Sequence, residues 1–257
     1  MSLSIAASTQ ALSADTVFSL LERVRTKRPR VHAITNTVAQ GFTANVLLAL
    51  GAVPSMTIAP EEVQSFAASA DALLINLGTL DNSRRLAIPV AIDAAKEAGR
   101  PIIIDPVFAD RSPQRCAYAK ELLQTLPSLV RANEAEMTAL FDARADVDAL
   151  ISEGTVFAVT GEEDQIESRG EDYRLRNGHP LLARVTATGC AGGAVLAAFA
   201  SVEPDTALAA ASGLSVFNIA GEIAASRSGG PGSLVPELLD TLYSLTARDI
   251  ESRLQTG

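Results

Sequence analysis

The stretch of this sequence richest in chemical possibility is Val185-Thr186-Ala187-Thr188-Gly189-Cys190-Ala191-Gly192-Gly193, which passes directly into the apolar run Ala194–Ala200. The pattern predicts a strand end, a tight turn and then a helix. A helix starting in such a turn offers unpaired backbone N–H groups and the positive end of its dipole, a setting that favours an anion such as phosphate. Cys190 falls at the expected first helical side chain, where the same field is expected to lower a thiol pKa, so that the sulfur could act as a weak base or carry charge. Close-packed Gly-rich turns and buried free cysteines are also common as plain packing, and this segment alone leaves both readings open.

Acidic side chains recur where strands are expected to end, at Asp105 and Glu136, with the cation Arg131 close in sequence to the second. Carboxylates beside a phosphate site suit Mg²⁺, a hard cation that prefers oxygen ligands and keeps several of its waters. Taken singly, each acid would serve equally well as a helix cap or a solvated loop residue. Their shared placement at carboxyl ends of predicted strands is what favours a functional reading.

Other chemistries find little support. There is no G-x-x-x-x-G-K-[ST] and no G-x-G-x-x-G after a strand, so neither a P-loop nor a standard dinucleotide fold is indicated. His32 and His179, the only histidines, have no partner at metal or triad spacing. Cys116 and Cys190 lie in different predicted elements, which argues against a disulfide framework or structural zinc. The net charge of −9 without a Lys/Arg cluster provides no footprint for nucleic acid or an anionic membrane, and leaves a small molecule as the expected partner. Residues 1–14 lack a secretory pattern and no unbroken apolar run approaches the roughly 20 residues of a membrane span, so the expected location is cytoplasmic.

The elements that must position these residues follow from hydrophobic spacing. Short apolar runs at 31–35, 53–58, 72–77, 101–104, 129–130 and 155–159 alternate with helical patterns at 15–28, 42–50, 61–70, 83–98 and 114–126, and a further helix is expected after Glu136. This alternation predicts βαβ units and a mainly parallel sheet. The first strand leads to Asn36, the third ends at Asn76, Gly78 and Thr79, the fourth delivers Asp105, and the last ends at Thr160 and Gly161. Polar residues at such strand ends face the usual ligand side of an α/β sheet. A hairpin is expected over 164–176, then three helices over about 191–200, 205–225 and 234–253. At 257 residues with no low-complexity linker, the chain reads as one α/β domain over 1–257.

In order along the chain, Ile34-Thr35-Asn36, Thr43-Ala44-Asn45, Leu47–Gly51 with Pro54 and Met56, Leu73–Thr79, Asp105-Pro106-Val107, Arg131 with Asn133 and Glu136, Val159–Gly161, Thr188-Gly189-Cys190 and Gly230-Pro231-Gly232-Ser233 form a collinear set of blocks. On these blocks the chain resembles the hydroxyethylthiazole kinases, members of the ribokinase-like fold, over nearly its whole length. The resemblance implies a three-layer α/β/α kinase that uses ATP with Mg²⁺ to phosphorylate the hydroxyl of 4-methyl-5-(2-hydroxyethyl)thiazole in thiamine salvage. It implies Met56, Gly189 and Asn36 at the thiazole, Arg131 and Thr160 at ATP, Asp105 and Glu136 at the metal, and Cys190 in place of the catalytic Asp of related kinases. It also implies a homotrimer holding the thiazole between neighbouring subunits.

The chain departs from the family pattern at Ala187 and Ala132, where Gly is usual, and at Gly193, where Ser is usual; none of these removes a proposed reacting group. Two other chemistries on the same fold were weighed, a pyrimidine kinase of vitamin metabolism and a nucleotide-dependent hydrate dehydratase. The dehydratase would need Asp where Cys190 stands. A catalytically silent metabolite-binding protein is the alternative from a different class, and the joint presence of Asp105, Glu136, Arg131 and Cys190 weighs against it.

Overall fold

The computed structural model describes the backbone of Ser8–Thr9 and the chain from residue 12 to residue 257. In chain order the elements are β1 (Ser8–Thr9), α1 (Ala14–Lys27), β2 (Arg30–Ile34), α2 (Gln40–Leu50), β3 (Val53–Ser55), α3 (Val63–Ser69), β4 (Ala72–Asn76), α4 (Asn82–Glu97) and β5 (Ile102–Asp105). They continue with α5 (Pro113–Leu123), β6 (Leu129–Asn133), α6 (Glu134–Leu140), α7 (Arg144–Ser152), β7 (Val156–Thr160), β8 (Asp164–Glu167) and β9 (Glu171–Leu175). The four helices α8 (Thr188–Ala200), α9 (Thr206–Arg227), α10 (Pro231–Ser244) and α11 (Ala247–Arg253) complete the chain.

The nine strands form one sheet in the order β1-β9-β8-β7-β6-β5-β4-β2-β3. Its central part, from β3 through β7, is parallel, and β8 and β9 add the antiparallel hairpin expected from the sequence. One apolar core joins α1, α2 and α8 to α11 to one face of the sheet, and a second joins α3 to α7 to the other. The result is the expected three-layer α/β/α architecture.

Strand alternation decides what reaches each layer, because successive side chains point to opposite faces. Leu74 and Ile103 pack under α8 and Leu129 in the same core, whereas Ile75, Ile104 and Val130 pack under the opposite helices. Two residues beyond the first set come Asn76, Asp105 and Arg131, which therefore lie on the α8 face at the carboxyl edge of three adjacent strands.

Several expectations are corrected. No strand precedes the Gly-rich turn: Pro180–Arg184 forms a 3-10 turn, begun by a proline and capped by the His179 ring, which accepts from the Leu181 amide. The helix that follows begins at Thr188, not near residue 191, so Cys190 is its third residue rather than its first side chain. The strand expected over 53–58 ends at Ser55. The last expected helix is two, because Thr246 and Asp249 form a capping box that starts α11 afresh. The helix α7 was not anticipated; its Val147 and Ile151, four apart, are the buried stripe. Among the described residues α9 is long and apolar enough to cross a membrane, but 89% of its apolar window is buried inside the protein.

Candidate active site

The site is built along the carboxyl edge of β2, β4, β5, β6 and β7. The register pairs Asn76 directly with Asp105 and Asn133 with Thr160. The start of α8 stands over this edge. Its first helical hydrogen bond runs from the Ala191 amide to the Ala187 carbonyl at 2.9 Å, so the amides of Thr188, Gly189 and Cys190 precede the ladder. Ala187 makes no side-chain cap and holds φ 71°, ψ 0°, a left-handed conformation that turns the chain sharply into the helix. The Thr188 hydroxyl donates back to the carbonyls of Leu182 and Val185, tying the turn to the preceding segment.

On one side of this helix start lies a cleft of about 660 Å³, lined among others by Arg131, Thr160, Gly161, Asp164, Thr188, Gly189 and Asn218. A methyl on Gly189 would stand 3.1 Å from Arg131 Nη1 and 3.2 Å from Nη2, so the absence of a side chain there is what lets the guanidinium lie against the first turn. Arg131 Nε is buried and makes no hydrogen bond, while Nη1 lies 3.7 Å from Asp105 Oδ1. The cleft wall is fixed by Asp164, whose two oxygens accept from the Gly161 amide at 3.0 Å and from Asn218 Nδ2 at 2.7 Å.

On the other side lies a buried polar cluster. Asn36 Nδ2 donates to Cys190 Sγ at 3.2 Å and to Asn76 Oδ1 at 3.0 Å, and Asn76 Nδ2 donates to Asp105 Oδ2 at 2.8 Å. Gly78 closes the cluster: its amide donates to Asn76 Oδ1 at 3.1 Å, and a Cβ there would be 2.7 Å from that of Asn36. In the sequence Asn76 and Gly78 stand only at a predicted strand end and within the block Leu73–Thr79. Nothing local links them to Cys190, which they reach through Asn36, 154 residues away from it in the chain.

The electrostatics correct one expectation directly. Burial pushes the Cys190 thiol up, and nearby Asp105 adds to this, outweighing the amide donors of Asn76 and Asn36 and the charge of Arg131. The thiol is therefore harder to ionise than a free cysteine, contrary to the lowering expected from its place at a helix start. Asp105, fully buried, has its carboxyl pushed up to about 6 by desolvation; Arg131 and Asn76 oppose the rise and Glu136 adds to it.

Glu136 serves first as the helix cap that a lone acid there would be. Its Oε2 accepts from the Asn133 amide at 3.0 Å while Asn133 Oδ1 accepts from the Glu136 amide at 2.9 Å, a reciprocal capping box. Its Oε1 accepts from the Phe108 amide at 2.8 Å, which pins the loop after Asp105. Met56 follows β3 near the outer edge of the sheet and packs, partly buried, against the α1–α2 side of the core. It shares the sheet edge with Asn36 rather than the hydrogen-bonded cluster. The two cysteines are free, as expected.

A metal can be tested against these atoms. Asp105 Oδ1 is buried and accepts no hydrogen bond, and no group of three His, Cys, Asp or Glu side chains converges among the described residues. One available carboxylate oxygen with a second carboxylate near enough to perturb it does not make an all-protein cage. It does fit Mg²⁺, which is commonly held by one or two carboxylates and completes its shell with water and phosphate.

Free helix-start amides stand between a cation-lined cleft and a buried polar cluster, on the three-layer α/β/α frame of the ribokinase-like fold. A ribokinase-like superfamily protein from Enterococcus faecalis V583 has the same fold, with a TM-score of 0.69 over 93% of this chain and 96% of that one at 14% identity. The family model described as "Hydroxyethylthiazole kinase family" matches residues 21–152 and 145–248. The chain is 46% identical to a probable hydroxyethylthiazole kinase of Agrobacterium fabrum, over 90% of each chain. A solved structure of a hydroxyethylthiazole kinase protein from Pyrococcus horikoshii OT3 superposes with a TM-score of 0.88 at 36% identity, covering 95% of this chain and 98% of that one. The chain belongs to the hydroxyethylthiazole kinase family.

Proposed function

We propose that this chain, acting as one kinase domain over 1–257, transfers the γ-phosphoryl group of ATP to the hydroxyl of 4-methyl-5-(2-hydroxyethyl)thiazole, giving the thiazole phosphate and ADP in thiamine salvage. The observation that carries this is the position of the α8 start, whose free amides separate the cleft from the Cys190 cluster. A nucleotide in the cleft and an alcohol beside Cys190 would meet across those amides. Thr160 and Arg131 would hold the ATP, with the guanidinium on its phosphates. The amides of Thr188, Gly189 and Cys190 would receive the transferring phosphoryl oxygens. Met56, Gly189 and Asn36 would bound the thiazole.

Asp105 and Glu136 would hold Mg²⁺, which neutralises the charge of the phosphates when bound. The transferred group passes through a loose transition state, in which the bond to the leaving oxygen is largely broken before the new O–P bond forms. The alcohol therefore needs orientation more than early deprotonation. A neutral, buried Cys190 suits that task, with its sulfur accepting the hydrogen bond of the substrate hydroxyl. The proton leaves late, to an oxygen of the phosphoryl group being transferred, and passes from there to solvent.

The same proposal includes a cytoplasmic location, no nucleic-acid or membrane partner, and a homotrimer. Exposed Leu48 on α2, Val53 on β3 and Phe66 on α3, at the β3 side of the sheet, support an apolar interface there. Light scattering showing an active monomer would overturn the trimer.

The reaction is tested by coupled detection of ADP while thiazole and pyrimidine alcohols are offered with ATP and Mg²⁺. Turnover on the thiazole is expected; phosphorylation of a pyrimidine alcohol alone would overturn the substrate, and no turnover on any alcohol would favour a binding protein. Cys190→Ala is expected to lose about a hundredfold in turnover, the cost of a reacting group displaced by about 1 Å when its orienting contact is removed.

A further inference from the structure

The two buried amides beside Cys190 have no freedom to flip. A backbone N–H can only donate, so the Gly78 amide, 3.1 Å from Asn76 Oδ1, fixes the carbonyl side of Asn76. The Ala39 amide, 2.9 Å from Asn36 Oδ1, does the same for Asn36. The remaining contacts agree with both orientations: Asn76 Nδ2 donates to Asp105 Oδ2 at 2.8 Å, and Asn36 Nδ2 donates to Asn76 Oδ1 at 3.0 Å. The second Asn36 N–H is then directed at Cys190 Sγ, 3.2 Å away. Asn76 is fully buried, and Asn36 lies so close to Gly78 that only a residue without Cβ fits there. This chain of donors determines that the sulfur of Cys190 is an acceptor toward the protein, and leaves its S–H free to point elsewhere.

We propose that Asn76 is a positioning residue for phosphoryl transfer, locking Asn36 so that the sulfur of Cys190 is held in one orientation toward the substrate hydroxyl while its own N–H holds Asp105. This rests on the assignment of Cys190 to that hydroxyl. Asn76 need not touch substrate: it ties the residue proposed to orient the alcohol to the residue proposed to act on the phosphates. Without its carbonyl, Asn36 loses one of the two partners of its NH₂ group, and the sulfur loses a fixed donor.

The test is a double-mutant cycle between Asn76→Leu and Cys190→Ala, with kcat and KM measured for both substrates. Leu has nearly the shape of Asn and none of its hydrogen bonds. In the parent background Asn76→Leu should lower kcat by about tenfold to a hundredfold and leave both KM values within about threefold, because the lost contact acts in the chemical step. In the Cys190→Ala background the same substitution should cost several-fold less than in the parent, the remainder being the lost hold on Asp105, since residues acting through one another are not additive.

Equal losses in both backgrounds would overturn the role of Asn76 in positioning Cys190 and trace its effect to Asp105 alone, while leaving the role of Cys190 intact. Parent-like turnover by Cys190→Ala alone would instead remove the Cys190 assignment, and the proposal with it. If Asn76→Leu does not fold, Asn76→Ser decides by the same cycle, because its hydroxyl can serve Asp105 but falls short of Asn36.

Discussion

Replacing Ala187 by Gly should stabilise this protein, although the substitution removes a methyl group and adds no contact. Ala187 holds φ 71° at the entry to α8, where an L side chain crowds the following carbonyl, at a cost of about 1–2 kcal/mol. Glycine adopts this conformation freely but gives the unfolded chain more freedom, which returns about 0.4–1 kcal/mol. The residue is only half-buried and makes no side-chain cap, so little packing is lost. The net gain is about 0.5–1 kcal/mol, and at about 2–4 °C per kcal/mol for a chain approaching this size the melting temperature should rise by about 1–4 °C.

Ala187→Val is the opposing control: a β-branched residue at positive φ is a steric outlier, and it should melt below the parent. Both variants are best followed by circular dichroism at one protein concentration, because association would make Tm depend on concentration. The Thr188, Gly189 and Cys190 amides are unchanged by the glycine variant, so its turnover should remain near that of the parent. An Ala187→Gly protein that melts at or below the parent, with Ala187→Val unchanged, would show that residue 187 is not held in the left-handed region and that the turn into α8 is built differently.

Other outcomes follow from the same geometry. Glu136→Gln offers one oxygen where two backbone amides, those of Phe108 and Asn133, now find one each; urea titration should show a loss of about 1–3 kcal/mol together with slower turnover at limiting Mg²⁺, and unchanged stability would refute the double anchoring. Gly189→Ala places a methyl 3.1 Å from Arg131 Nη1, so calorimetry should find ATP binding weakened, and unchanged ATP binding would count against the guanidinium facing ATP. Burial holds the His32 imidazole at about 4, below its usual 6.5. The unfolded chain therefore takes up this proton first as the pH falls, so the stability His32 contributes is complete above about 6.5 and is lost as the pH drops toward 4. His32→Leu should flatten that part of the Tm–pH curve, and an unaltered acid limb would mean that His32 is not buried in its neutral form.

Local patterns in the sequence carried much of this protein. Apolar runs of strand length between helical stripes imposed the α/β frame, and their polar ends put Asn36, Asp105 and Thr160 on the ligand side of one sheet. The pairing of Asn133 with Glu136 is equally local, since a capping box needs only residues three apart. Such features are legible because they depend on backbone period and on groups within one turn of each other.

What the tertiary structure decided depends on groups brought together from far along the chain. The thiol of Cys190 lies at a helix start, yet burial and the neighbouring Asp105 raise its pKa, because desolvation acts through the surrounding protein rather than through its own helix. The packing of Arg131 on Gly189, the left-handed Ala187 and the route from Cys190 through Asn36 and Asn76 to Asp105 likewise have no local signature. A sequence specifies which side chains can donate and accept, but the direction in which a buried amide points is determined only when every partner around it is in place.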